Sequence, residues 1–142
     1  MQRFFIMAHG GSFDVDAYLA VTTLAIDQIW RLGDYPTPTC GIRIWFGGDQ
    51  SLTSETQEES AIAYLQAHGD ELKALGQFPG VETFILGMNE TVEGVCESLS
   101  GFTLKMSASM MRHALQIGIE PVFYVDLLHL RDDDSLPDAE GL

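Results

Sequence analysis

The sequence predicts an α+β domain in two layers, with a mixed sheet of about five strands and about three helices on one face. Short β-prone runs are interspersed with segments of helical period, and the two do not alternate strictly. Hydrophobic residues make up 46% of the 142 residues, which is enough for one core, whereas the chain is too short for two. We therefore expect a single domain over residues 1–130.

The first half of the chain predicts two strands and two helices. An apolar run over residues 4–7, closed by a pair of glycines, indicates a buried strand. Asp14 is suited to cap a helix over residues 15–24, because a carboxylate at this position accepts from the first turn. Residues 34–40 contain two prolines and predict a loop, which leads into a strand over residues 42–46.

The longest predicted element is a helix that begins near Ser54. Ser54 and Gln57 have the spacing of a capping box, and the glutamates around them suit the positive end of the helix dipole. The pair Gly69 and Asp70 kinks this helix or divides it into two. The side that is predicted to face inward carries Ile62, Leu65, Leu72 and Leu75.

The second half predicts two further strands, a helix and a final strand. Residues 81–86 are apolar almost throughout, which favours a central strand, and a polar stretch over residues 87–101 follows. The alternation over residues 102–106 predicts a strand that is buried on one side. Residues 121–130 predict the last strand, and the acidic segment 131–142 predicts a disordered, solvated tail.

The helix between these strands has a start and a stop signal. Ser107 is suited to cap it, and Gly118 is suited to end it in a left-handed conformation. We expect Met111, Ala114 and Leu115 to face inward.

The charge balance excludes some classes of partner. Asp and Glu number 21 against 7 Lys and Arg, which gives a net charge of -14, so we expect no binding to nucleic acids or to anionic membranes. Cys40 and Cys96 do not form a disulfide framework or a metal-ligand spacing, and we interpret both as reduced thiols. The sequence has neither the apolar region of a signal peptide nor a run of about 18 apolar residues, so we expect a cytoplasmic protein.

No pattern in the sequence reaches a catalytic signature, so we expect neither an enzyme nor a cofactor. A metal-dependent enzyme or ligand binder is the alternative, because the first and last predicted strands end in residues that ligate divalent cations. If those two strands were neighbours, a site would form from His9, Asp14, Asp16, Asp126 and His129. Asp14 and Asp16 are also explained as residues of a helix start.

The order of short motifs resembles a known family. These motifs are GSFDVD at 11–16, VTTLAI at 21–26 and WRLGD at 30–34, followed by Trp45, the helix of Leu72 and Leu75, and GFTL at 101–104. Over nearly the whole chain, to Leu127, they resemble the DUF4279 family, an uncharacterised and mainly bacterial family. Members commonly have a proline before the Trp, where this chain has residues 27–29, DQI. The resemblance implies a small α+β domain and no established activity.

The leading hypothesis is a non-catalytic acidic binding protein, namely an immunity or antitoxin protein that inhibits a basic toxin encoded nearby. Trp30 is expected to pack over the sheet edge or to stand partly exposed as an anchor, and Trp45 is expected in the core. A structural homo-oligomer is a further alternative, and the oligomeric state stays open. The residues that we expect to contact the partner are Trp30, Asp34, Asp49, Glu55, Glu58, Glu59, Asn89, Glu90, Glu93 and Glu97.

Overall fold

The computed structural model describes residues 2–34, 38–46, 54–93 and 105–128. The first part of the chain forms β1 (Gln2–Gly10), α1 (Val15–Val21), β2 (Gln28–Trp30) and β3 (Cys40–Trp45). The second part forms α2 (Ser54–Ala67), α3 (Gly69–Gly76), β4 (Thr83–Glu93), α4 (Ala108–Ile117) and β5 (Glu120–Leu128). The predicted tail, residues 131–142, lies outside the described residues.

The five strands form one mixed sheet in the order β2-β3-β1-β4-β5. Strand β1 is central and pairs antiparallel with β3 and β4, whereas β5 pairs parallel with β4. Strand β4 therefore has a neighbour on each side, as its apolar start predicted. The mixed sheet confirms the predicted α+β class.

The side chains of β1 divide the molecule into its two layers. Successive residues of a strand point to opposite faces. Phe4, Ile6 and Ala8 join the buried core that every helix of the described part also enters. Phe5 and Ile85 are also buried, but they lie outside that core, on the other face of the sheet. The helices thus cover one face, as predicted.

Helix α1 begins where the sequence predicts and ends earlier. The Asp14 carboxylate accepts from the Ala17 backbone N–H at 3.0 Å, which confirms the predicted cap. The helix ends at Val21 instead of residue 24, because Thr22 has extended backbone angles and its Oγ1 accepts from the Leu24 N–H at 3.1 Å. A side chain that accepts a hydrogen bond from a nearby backbone N–H in this way stabilises a non-helical conformation in place of another helical turn.

The long predicted helix is two helices. His68 leaves helical geometry at φ -118° and ψ 23°, so α2 ends at Ala67 and α3 begins at Gly69. The pair of glycine and aspartate therefore marks a division, one of the two predicted outcomes. Leu65, Leu72 and Leu75 are buried as predicted, and Ile62 packs half-buried against the same core.

Helix α4 has the predicted cap and stop, but part of its predicted inward face is wrong. Ser107 accepts from the Met110 N–H at 3.1 Å, and Gly118 ends the helix at φ 93°. Met110 and Ala114, four residues apart, are buried, whereas Leu115 is 62% exposed. Leu115 is rotated by about 100° from Ala114 around the helix, which carries it out of the core.

The observed strands also differ from the predicted ones. Strand β4 continues to Glu93 because β1 pairs with it as far as Glu90 and β5 pairs with it as far as Glu93. The segment Gln28–Trp30, for which no strand was predicted, is a short edge strand beside β3. Residues 102–104 of the predicted fourth strand lie outside the described residues, and Lys105 and Met106 are not in a strand.

We predict that truncation of Leu72 in α3 lowers stability much more than truncation of Leu115 in α4. Leu72→Ala removes a side chain that is 0% exposed, so the free energy of unfolding should fall by about 2–5 kcal/mol. Leu115→Ala is the matched control and should change it by less than about 0.5 kcal/mol. Chemical denaturation followed by far-ultraviolet circular dichroism measures both, and equal losses would contradict the inward face described here.

Candidate functional site

The acidic residues at the start of α2 divide into exposed and structural carboxylates. Glu55 and Glu59 are exposed. Glu58 is half-buried, and its Oε2 accepts from the Ser107 backbone N–H at 2.9 Å. Glu58 therefore fastens the start of α4 to α2, and it is not available to a partner.

The other expected contact residues lie elsewhere on the molecule. Asp34 accepts from the Arg31 backbone N–H at 2.8 Å and closes a turn after β2. Asn89 is half-buried on the sheet face opposite the helices, and Glu90 and Glu93 belong to β4 rather than to a loop as predicted. Asp49 and Glu97 lie outside the described residues. The expected residues that are described thus do not share one surface.

The hypothesis of a metal site fails on strand order. It requires β1 and β5 to be neighbours, but β4 separates them. His9 pairs with Thr83 at the start of β4, whereas Asp126 pairs with Thr91 towards its other end. Eight residues of extended strand span about 26 Å. His9 and Asp126 are therefore at opposite ends of the sheet.

The remaining proposed ligands serve other roles. Asp14 caps α1, and Asp16 forms an ion pair with Arg31 at 2.6 Å between Oδ1 and Nη2. The hydrogen bond from Arg31 lowers the pKa of the Asp16 carboxyl. His129 lies outside the described residues, and within the described ranges no three His, Cys, Asp or Glu side chains are placed to hold a metal ion.

The sheet face opposite the helices, here called the open face, is built around Phe5. The Phe5 ring lies over Gly87, where a Cβ atom would collide with it. Trp45 and Tyr124 flank the ring with centroids at 5.0 and 5.5 Å, and Phe5 is only 3% exposed. A glycine and three aromatic rings therefore form a second, smaller apolar cluster.

Two arginines cover this cluster. The guanidinium carbon of Arg3 lies 4.2 Å from the ring centre of Trp45, and that of Arg43 lies 4.8 Å from the ring centre of Phe5. They are two of the seven Lys and Arg residues in the chain. Trp45, predicted in the core, is half-buried here because it pairs with Phe5 and shares its face. Arginine on an aromatic face is a favourable cation–π arrangement.

A cavity of about 600 Å³, here called the edge groove, adjoins the cluster on the β2 side. The Trp30 ring lies against Gly41, where a Cβ atom would collide with it, and its Nε1–H donates to Thr39 Oγ1 at 3.4 Å. Arg43 Nη1 donates to Gln28 Oε1 at 3.3 Å. Trp30 therefore packs over the sheet edge, which is one of its two expected placements, and it is half-buried there. The groove is lined by Met7, His9, Gln28, Trp30, Pro38, Thr39 and Arg43.

His9 contributes a ring whose protonation is disfavoured. Burial lowers its pKa below the ordinary 6.5, and the nearby Glu82 carboxylate opposes that shift. Glu82 in turn accepts from the Gly11 backbone N–H at 2.6 Å. Near neutral pH a larger fraction of the His9 ring is therefore neutral than in an ordinary histidine.

The sequence carried a signal for the open face. Arg3, Phe5, Met7 and His9 alternate with the core residues of the first strand, and Arg43 alternates with its neighbours in the same way. A continuous apolar run hides such a period, so the first strand was predicted as buried rather than two-sided. The groove itself depends on the pairing of β2 with β3.

The fold and this face define a class of protein, an α+β domain with one layer of helices and a sheet face on the other side. Comparisons with family models, with curated proteins and with solved structures found no match to this chain. The likeness to the DUF4279 family stays a resemblance that rests on short motifs. None of the helices in the described ranges combines the length and the hydropathy that a membrane span requires.

We predict that His9 makes the protein less stable as the pH falls. Its pKa is lower in the folded chain than the ordinary 6.5, so the unfolded chain binds the proton more readily, and the free energy of unfolding decreases as the pH falls through 6.5. Denaturation of the unsubstituted chain and of His9→Gln at about pH 7.5 and about pH 5.5 measures this. Equal losses in both proteins would contradict the prediction.

We predict that Gly41→Ala displaces the Trp30 ring. The new Cβ would overlap that ring and lie 2.7 Å from the Cβ of His9, so the free energy of unfolding should fall by about 1–3 kcal/mol. Fluorescence emission should also move to longer wavelength as Trp30 becomes more hydrated. Gly69→Ala is the control, because its Cβ has no contact closer than 3.9 Å. An unchanged emission spectrum for Gly41→Ala would show that the Trp30 ring does not pack against Gly41.

Proposed function

We propose that this chain is a non-catalytic binding protein of the immunity or antitoxin kind, which inhibits a bacterial toxin by binding it directly. The observation that supports the proposal is the group of carboxylates at the start of α2. Helix α2 contains Glu55, Glu58 and Glu59 and no Lys or Arg. The cations of the neighbouring helices, Lys73 and Arg112, lie on α3 and α4. The start of α2 therefore offers carboxylates with no cation on the same helix.

The partner that fits the start of α2 is a basic protein. Glu55 and Glu59 are exposed and four residues apart on α2, so they lie on the same side of the helix. With a net charge of -14, the chain attracts a basic partner over distances longer than a contact. Such steering raises association rates to about 10⁸–10⁹ M⁻¹s⁻¹ at low salt.

The contact surface that we propose is smaller than the predicted set. Glu58 and Asp34 are engaged in hydrogen bonds to backbone N–H groups that hold the fold together. Removal of either would lower stability and would be misread as a loss of binding. Glu55 and Glu59 are the carboxylates with which the proposal is tested.

The test uses the full chain and the product of the adjacent gene. We expect the two proteins to form a complex at physiological salt, and we expect the chain to protect cells that express that product. Glu55→Gln combined with Glu59→Gln should slow association by up to about tenfold at low salt, with a smaller effect at high salt. Surface plasmon resonance at several salt concentrations measures the rate.

Glu120→Gln is the control, since Glu120 is exposed at the start of β5, away from α2. It should change the association rate less than the double substitution on α2. Absence of both complex formation and protection would refute the proposed function. A complex whose association rate is the same for all variants would refute the proposed surface.

A further inference from the structure

The edge groove has the size and the walls of a small-molecule site. Its volume of about 600 Å³ lies within the range of about 300–1,000 Å³ that such sites occupy. Met7, Trp30 and Pro38 supply apolar surface, and Gln28, Thr39 and Arg43 supply polar groups. A few polar groups among apolar walls are typical of a site that orients a ligand of one or two rings.

Arg43 fixes a positive charge in the groove. Its guanidinium lies 4.8 Å from the ring centre of Phe5 and 5.3 Å from that of Trp45, and Nη2 lies 3.4 Å from the sulfur of Met7. Because these contacts set the position of the group, less conformational entropy is lost when it binds an anion. A guanidinium pairs with a carboxylate through two parallel hydrogen bonds.

Trp30 supplies a flat platform beside that charge. Its ring packs against Gly41, and its Nε1–H donates to Thr39. The ring centroid lies 6.3 Å from that of the His9 ring. An aromatic ligand gains both apolar burial and ring contact on such a surface. The sulfur of Met7, which lines the same groove, can add a favourable contact with a ring.

The charges around the groove favour one negative charge on the ligand. Arg43 is the residue with a full positive charge among those that line the cavity, and burial lowers the pKa of His9. A second anionic group would face the net charge of -14 without a second cation among the described residues that line the groove.

We propose that the edge groove binds a small aromatic carboxylate, with its ring against Trp30 and its carboxylate on Arg43. This site is independent of the proposed function, which rests on the helix layer. It assigns the cationic, aromatic side of an acidic protein to a ligand of complementary charge and shape.

The test uses the two indole N–H signals of the full chain in a ¹⁵N–¹H spectrum, because the chain has two tryptophans and both lie on the open face. We expect 1-naphthoate and benzoate to shift the Trp30 signal in a saturable manner, with a Kd of about 1 mM or below for 1-naphthoate. The neutral amides should bind about tenfold more weakly, since they lack the charge-assisted hydrogen bonds. Acetate and inorganic phosphate should bind at least about tenfold more weakly than 1-naphthoate.

Arg43→Gln should weaken 1-naphthoate binding by about tenfold, whereas Arg112→Gln on the exposed side of α4 should not change it. The comparison of acid with amide needs no substitution, so it decides the charge requirement even if Arg43→Gln fails to fold. The proposal is overturned if no aromatic carboxylate moves the Trp30 signal at about 10 mM. Equal binding of acid and amide, or of phosphate and 1-naphthoate, would overturn it too.

Discussion

The structure depends on the pairing of β1 along both of its edges. Strand β1 pairs with β3 on one side and with β4 on the other, so its backbone N–H and C=O groups form hydrogen bonds with both neighbours. Side chains pack on both of its faces. One set of side chains, Phe4, Ile6 and Ala8, builds the core under the helices. The alternate set contains Phe5, around which the cluster of the open face is packed. A shift of one residue in this register would exchange the two sets and destroy both clusters.

The two layers handle charge in different ways. On the helix side, Asp14 caps a helix, Asp16 pairs with Arg31, and Glu59 stands in solvent. On the open face, Arg3 and Arg43 lie against aromatic rings, where the flat guanidinium keeps its charge and also covers apolar surface. Two of the seven Lys and Arg residues of this acidic chain therefore lie together over one aromatic cluster.

The sequence predicted the fold wherever the signal was local. Asp14, Ser107 and Gly118 act as cap and stop residues within one turn of themselves, and all three were predicted correctly. Strand β2 and the second half of β4 were missed, because pairing with distant strands outweighs their polar composition. The same reason explains Trp45, whose face is set by its pairing with Phe5. The edge groove depends on strand order, and no local pattern in the sequence specifies strand order.

The parallel pairing of β4 with β5 has a consequence for synthesis of the chain. The outer edge of β4, from Ile85 to Glu93, has its partner in residues 120–128, which leave the ribosome after the rest of the sheet has been made. Until then a long strand edge with free hydrogen-bonding groups is exposed, which invites pairing with another chain. A nascent chain that stalls between β4 and β5 would therefore be prone to aggregate. Helix α4, which is capped by Ser107, is the last helix to form before β5 pairs with β4.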